Sequence, residues 1–120
     1  MNWSAIGAAG LALAVAAGAF GAHGLRGRLD EYSMGIYDRA VFYQFVHAIG
    51  LLVTPLLLAS RAAAARVGWL LLAGIVLFSG SLYVLALTGV TRWGIVTPFG
   101  GVAFILAWLL LAFELLRRRS

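Results

Sequence analysis

Four long apolar runs, separated by short connections that carry nearly all of the charge, are the dominant pattern of the sequence. They occupy residues 3–22, 40–60, 67–88 and 97–113, and none of them contains Asp, Glu, Lys or Arg. An α-helix needs about 17–25 residues to cross a hydrocarbon core, and it satisfies its own backbone hydrogen bonds there. The pattern therefore predicts an all-α membrane protein, a four-helix transmembrane bundle in up-down-up-down order. No internal repeat or second domain is visible, so we interpret residues 1–120 as a single integral membrane domain.

Small residues form a stripe along the first run, because they recur every three or four positions and so share one helix face. Such a stripe lets another helix approach closely, although membrane helices are rich in glycine in any case. A cleaved signal peptide is the competing interpretation of this run, but no Lys or Arg precedes it. Together with two glycines early in the fourth run, the candidate packing positions are Gly7, Gly10, Ala14, Gly18, Gly21, Gly100 and Gly101.

The second run carries the most deeply placed ionisable group. His47 follows Arg39 by eight residues, which is roughly 12 Å along a helix. Tyr43 and Gln44 lie on the same helix face as His47. Lipid offers no hydrogen-bond partner, so we expect neighbouring helices to shelter this face. With the polar residues of the third run, the candidate intramembrane polar cluster is Tyr43, Gln44, His47, Ser79, Ser81 and Tyr83.

Two interpretations of this cluster stay open. A neutral His47 hydrogen-bonded to a neighbouring helix is a sufficient structural explanation. A proton relay is the functional alternative, because intramembrane ionisable residues are often functional.

Local signals predict where the helices begin, end and bend. Ser33 is a candidate N-cap of the second helix, and Pro55 is expected to kink that helix. Gly89 is a candidate C-terminal cap of the third helix. Thr97 followed by Pro98 is typical of an N-cap and a first helical position.

The composition agrees with a lipid environment and argues against several functional classes. The chain is 63% hydrophobic with a mean hydropathy of +1.00, and 11% of its residues are charged, against about 25% in soluble domains. There is no Cys. His23 and His47 are too few for a metal site, which usually has three or four ligands. No nucleophile elbow, phosphate loop or carboxylate pair is present, so we expect neither an enzyme nor a bound cofactor.

The arginines flank the apolar runs, so we interpret them as membrane-flanking charges rather than as a nucleic-acid-binding surface. Four spans place the N-terminus, the second connection and the C-terminus on one side. That side carries Arg61, Arg66, Arg117, Arg118 and Arg119, and the other side carries Arg26, Arg28, Arg39 and Arg92. Glu114 lies on the same side as Arg61 and Arg66, and we interpret it as a charge at the membrane–water interface. The small arginine excess predicts that both termini are cytoplasmic; dual topology stays open.

Four motifs in the same order along the chain resemble a known family. They are Gly18-Ala-Phe-Gly-Ala-His-Gly-Leu25, Tyr43-Gln44-x-x-His47-Ala48, Phe78-Ser-Gly-Ser-Leu-Tyr83 and Thr97-Pro98-x-Gly100-Gly101. The sequence resembles the domain-of-unknown-function 423 family, which includes the bacterial YgdD-type (UPF0382) inner-membrane proteins and the eukaryotic transmembrane protein 256. The resemblance implies a small four-helix inner-membrane protein and no stated activity, so no catalytic residues are carried over.

Two classes of function fit these observations. The first is a non-enzymatic interaction, assembly or membrane-structural role, with the lipid bilayer and either a second copy or another membrane protein as partner. The second is a small transporter or channel for a proton, ion or small solute that uses the polar patch around His47. We favour the first, because coupled transport needs a group that changes charge, and a single neutral histidine is a weak candidate for that role.

Overall fold

The computed structural model describes residues 1–118 and consists of four long helices. Their bounds are α1 (Trp3–Leu25), α2 (Glu31–Leu57), α3 (Arg61–Thr88) and α4 (Thr91–Arg117). Each is long and apolar enough to cross a membrane, and the prediction of an all-α four-helix membrane protein is confirmed. The helices run alternately up and down, and the molecule measures 53 × 26 × 20 Å along its principal axes.

The second helix begins earlier and ends sooner than its apolar run. Asp30, not Ser33, is the N-cap: its Oδ1 accepts a 2.7 Å hydrogen bond from the Ser33 backbone N–H. This bond lowers the pKa of the Asp30 carboxyl, because it favours the charged form. Pro55 lies in the last turn, and the helix stops at Leu57 with Leu58 in an extended conformation. The helix therefore ends two residues after Pro55.

The fourth helix also starts differently from the prediction. Thr97 is not an N-cap; a 3₁₀ turn, Thr91–Ile95, leads into the α-helix, and Val96 occupies the cap position without a side-chain hydrogen bond. The Thr97 hydroxyl instead lies 2.6 Å from that of Ser81 on α3. The Gly89 prediction is confirmed, since Gly89 ends α3 in the left-handed conformation at φ 73°.

Two π-helical turns interrupt the regular helices. One, Gly21–Leu25, forms the last turn of α1, and the other, Ile75–Ser79, lies in the middle of α3. A π-turn holds one residue more than an α-turn. It therefore changes which faces of α3 meet α2 and α4 before and after the interruption.

The stripe of small residues on α1 lies against α2, and the distance between the two helices varies along the stripe. A methyl group at Gly7 would lie 2.5 Å from the Leu52 backbone nitrogen, and one at Gly10 would lie 3.1 Å from the Ala48 Cβ. The side chain of Ala14 is fully buried. At Gly18 the nearest neighbour of such a methyl group would be 3.6 Å away, an ordinary contact.

Further close contacts join the other helices. Gly21 lies against the Tyr37 ring: a methyl group added at Gly21 would be only 2.6 Å from the nearest ring carbon. Gly100 packs directly on the Phe78 backbone, whereas a methyl group at Gly101 would lie 3.8 Å from the Phe78 ring. Gly101 is therefore not needed for close approach.

Two glycines of α3 that the sequence analysis did not select are equally tight. Gly68 lies beneath the Trp3 indole, and Gly74 lies beneath the Phe104 ring. Each lets a large aromatic side chain from another helix lie flat on the α3 backbone. The apolar core accordingly divides into one cluster around Trp3, Leu51 and Leu71 and another around Tyr37 and Leu82.

We expect Gly7→Ala to destabilise the bundle by about 1–3 kcal/mol, because a methyl group would overlap the α2 backbone, which cannot move aside cheaply. The measurement is thermal unfolding in detergent followed by circular dichroism. Gly18→Ala is the matched control on the same stripe and should change the unfolding temperature little. Equal behaviour of the two variants would show that the α1–α2 contact is looser than described.

Candidate functional site

His47 is buried in an aromatic environment near the middle of α2. Its Nδ1 donates a hydrogen bond of 2.7 Å to the Tyr43 carbonyl of its own helix, since a carbonyl oxygen can only accept. Its ring stacks on Phe104 of α4, with centroids 3.4 Å apart and planes 11° from parallel. Tyr43 and Trp108 are the next rings, at 5.8 and 5.6 Å. The structural interpretation of His47 as hydrogen-bonded to a neighbouring helix is therefore revised: its contact with α4 is ring stacking, and its hydrogen bond is to its own helix.

Gln44 connects three helices. Its Nε2 donates to the Gly10 carbonyl of α1 at 2.9 Å, and its Oε1 accepts from the Tyr83 hydroxyl of α3 at 2.6 Å. Both ends of the amide are thus used. Next to it, the Tyr37 hydroxyl donates to the Ala17 carbonyl, and the Tyr37 and Tyr83 rings meet edge to face.

The two serines of α3 form hydrogen bonds to different helices. Ser79 Oγ donates to the Ala40 carbonyl of α2 at 2.8 Å. Ser81 Oγ pairs with the Thr97 hydroxyl of α4 and also donates to the Phe78 carbonyl. Neighbouring serines thus join α3 to opposite partners.

The six residues of the candidate polar cluster are distributed over separate contacts. Gln44 and Tyr83, with Tyr37, line a groove of about 340 Å³ whose other walls are apolar side chains, and His47 is not among its lining residues. Within residues 1–118, every buried side-chain nitrogen and oxygen has a hydrogen-bond partner. The arrangement therefore connects the helices to one another.

The sequence analysis missed the burial of Glu114, which it treated as an interface charge. The residue is 6% exposed. Its Oε1 accepts from Arg66 of α3 at 3.3 Å, and its Oε2 accepts from Arg117 at 3.1 Å. The alternating topology already put Arg66 and Glu114 at the same end of the bundle, so the pairing could have been proposed from the sequence.

Metal binding finds no support in the part of the chain that the structure describes. Residues 1–118 contain no group of three His, Asp or Glu side chains that could hold an ion. His23 is exposed in the π-turn that ends α1, whereas His47 is buried in the bundle. The two histidines do not form a pair.

Comparison with known proteins decides the family. Residues 17–101 match the family model described as protein of unknown function (DUF423). A UPF0382 membrane protein of Staphylococcus epidermidis is 49% identical over 93% of each chain. The UPF0382 membrane protein YwdK of Bacillus subtilis is 45% identical over 88% of this chain and 89% of its own. The chain belongs to the DUF423 family.

The family assignment confirms the resemblance seen in the sequence and the membrane environment, since these relatives are named membrane proteins. The matched region contains Gln44 with its partner Tyr83, His47 and the Ser81–Thr97 pair. The Gln44 partner Gly10 and the His47 partner Phe104 lie outside it, as do Gly7 and Glu114. No solved structure matches the chain.

We expect Tyr83→Phe to destabilise the bundle by about 0.6 kcal/mol and by no more than about 1.7 kcal/mol, the average and the maximum for interhelical hydrogen bonds in membranes, because Gln44 Oε1 loses its donor. The measurement is unfolding of the purified protein in mixed detergent micelles. Tyr32→Phe, at a site that is 75% exposed, is the control and should leave the midpoint unchanged. A midpoint for Tyr83→Phe equal to that of the wild type would show that the Gln44 contact adds no stability.

Proposed function

We propose that this protein is a non-enzymatic integral protein of the cytoplasmic membrane with an interaction, assembly or membrane-structural role. The observation that carries the proposal is the complete hydrogen bonding of buried side-chain polar atoms within residues 1–118. A catalytic or transport site usually keeps at least one polar group ready for substrate. Here Gln44, Ser79 and Ser81 are used for helix–helix contacts.

The packing around His47 also supports this role more than coupled transport. A coupling histidine must exchange a proton with both sides of the membrane. The His47 ring instead lies face to face with Phe104, and its Nδ1 is used by the Tyr43 carbonyl. The buried carboxylate of Glu114 is paired with two arginines near one end of the bundle. The transporter interpretation therefore has less support.

A partner within the membrane is part of the proposal. The outer surface of the bundle carries large exposed apolar side chains such as Leu13, Phe20 and Trp69. Such a surface suits lipid, and it equally suits a second copy or another membrane protein.

We further propose that both termini face the cytoplasm. Arg61, Arg66, Arg117 and Arg118 belong to the end of the bundle that holds the termini, while Arg119 lies outside the described residues. At the other end Arg26 is paired with Asp38 at 3.6 Å. Arginines near the ends of spans favour the cytoplasmic side.

The functional proposal is tested by reconstitution into liposomes and in-membrane cross-linking. We expect no proton or ion flux above that of protein-free vesicles, because the bundle core is packed and its polar groups are satisfied. We also expect cross-linking in native membranes to capture a defined protein neighbour or a second copy. Flux that is abolished by His47→Ala would overturn the proposal and favour the transporter.

The orientation is tested by C-terminal fusions to paired reporters, one active in the cytoplasm and one active outside it. We expect only the cytoplasmic reporter to be active. Activity of the external reporter alone would reverse the orientation, and equal activities would indicate dual topology.

A further inference from the structure

The end of the bundle that contains the α2–α3 turn has an excess of positive charge. The arginines described there are Arg61, Arg66, Arg117 and Arg118. Glu114 is the acid that accompanies them within residues 1–118, so four positive charges face one negative charge. An unbalanced cationic patch at the end of membrane helices attracts anionic lipid headgroups.

The Glu114 ion pairs divide these arginines into two kinds. Arg66 and Arg117 both bind the Glu114 carboxylate. No carboxylate in the described part of the chain lies within ion-pair distance of Arg61 or Arg118. Arg118 donates to the Leu57 carbonyl at the end of α2, which uses one of the five N–H donors of a guanidinium.

Two cavities flank the α2–α3 turn and share Leu58 and Ala59 in their walls. The Arg118 cavity, about 510 Å³, is also lined by Ser60, Ala63 and the ion-paired Glu114 and Arg117. The Arg61 cavity, about 540 Å³, is lined on its far side by the Trp3 and Trp69 rings and by Pro55. Each cavity thus combines a cation with apolar surface.

The two tryptophans indicate the depth of this region in the membrane. Trp3 and Trp69 meet edge to face at 5.2 Å, and Trp69 is 54% exposed. Tryptophans are enriched at the level of the lipid headgroups. The cavities therefore lie where a phosphate and the first part of an acyl chain would meet the protein.

We propose that the α2–α3 turn is a binding site for an anionic phospholipid that carries two phosphates, of the cardiolipin class. One phosphate is bound by Arg61 on one side of the Leu58–Ala59 turn. The other is bound by Arg118 and the Ser60 hydroxyl on the opposite side. The acyl chains lie along the apolar walls of the two cavities. Guanidinium groups suit this role, because their N–H donors match phosphate oxygens.

The choice of a lipid with two phosphates follows from the shared wall. Leu58 and Ala59 line both cavities, so the cavities adjoin, and we expect one headgroup with joined phosphates to reach both. The apolar lining favours a lipid over a soluble anion, because a free phosphate gains nothing from Leu58, Trp3 or Trp69.

The test is lipid binding to the purified full-length chain in mild detergent, followed by native mass spectrometry and by the shift of the unfolding temperature. Cardiolipin is compared with phosphatidylglycerol at equal phosphate concentration, with phosphatidylcholine and with inorganic pyrophosphate. We expect cardiolipin to bind most tightly and to raise the unfolding temperature. Arg61→Gln with Arg118→Gln should weaken cardiolipin binding about tenfold or more.

The matched control removes the same charge at the opposite end of the bundle. Arg28→Gln with Arg92→Gln should keep cardiolipin binding near the wild-type level. An equal loss in both double variants, equal affinity for phosphatidylglycerol, or equally tight binding of pyrophosphate would overturn the proposal. If the Arg61 and Arg118 double variant does not fold, the single variants Arg61→Lys and Arg118→Lys replace it. Because lysine lacks the planar fork, cardiolipin affinity unchanged in both single variants would also overturn the proposal.

Discussion

The amide of Gln44 is the constraint around which the other contacts are arranged. A primary amide in a bilayer has no water to bond, and leaving it unpaired is costly. Its nitrogen reaches Gly10 on α1 and its oxygen receives the Tyr83 hydroxyl from α3. Both bonds exist only when three helices stand at one relative height and rotation. A slide of α1 along α2 would break the bond to Gly10, so this side chain favours one register of the two helices.

In that register the helices lie close together, and glycines make this possible because they have no side chain. Gly10 both accepts the Gln44 bond and lies against Ala48, while Gly7 lets the α2 backbone near Leu52 come close. Without a hydrophobic driving force between helices in lipid, packing contacts and hydrogen bonds must do the work together. The same pairing recurs at α3, where Ser79 bonds to α2 and Gly74 accepts the Phe104 ring.

The sequence was sufficient for the four helices and for the face of α1 that packs on α2, because bilayer thickness and small-residue spacing are strong constraints. Prediction from the sequence was less accurate wherever two local structures fit the same sequence pattern. Asp30 and Ser33 are both good caps, and only the position of the first helical turn decides between them. Gly68 and Gly74 could not be selected, because what makes them tight is an aromatic residue on another helix, Trp3 in one case and Phe104 in the other. His47 was expected to seek a polar neighbour, yet its own helix supplied the acceptor and left the ring for stacking.

The π-turn at Ile75–Ser79 changes which side of α3 faces its neighbours. One additional residue in a turn rotates everything that follows by about 100° relative to an uninterrupted α-helix. Before the turn, Arg61–Gly74 packs mainly on α4; after it, Gly80–Thr88 packs mainly on α2. The helix thus consists of two segments joined out of phase, and a single helical wheel drawn through all of α3 would assign the residues of Gly80–Thr88 to the wrong face.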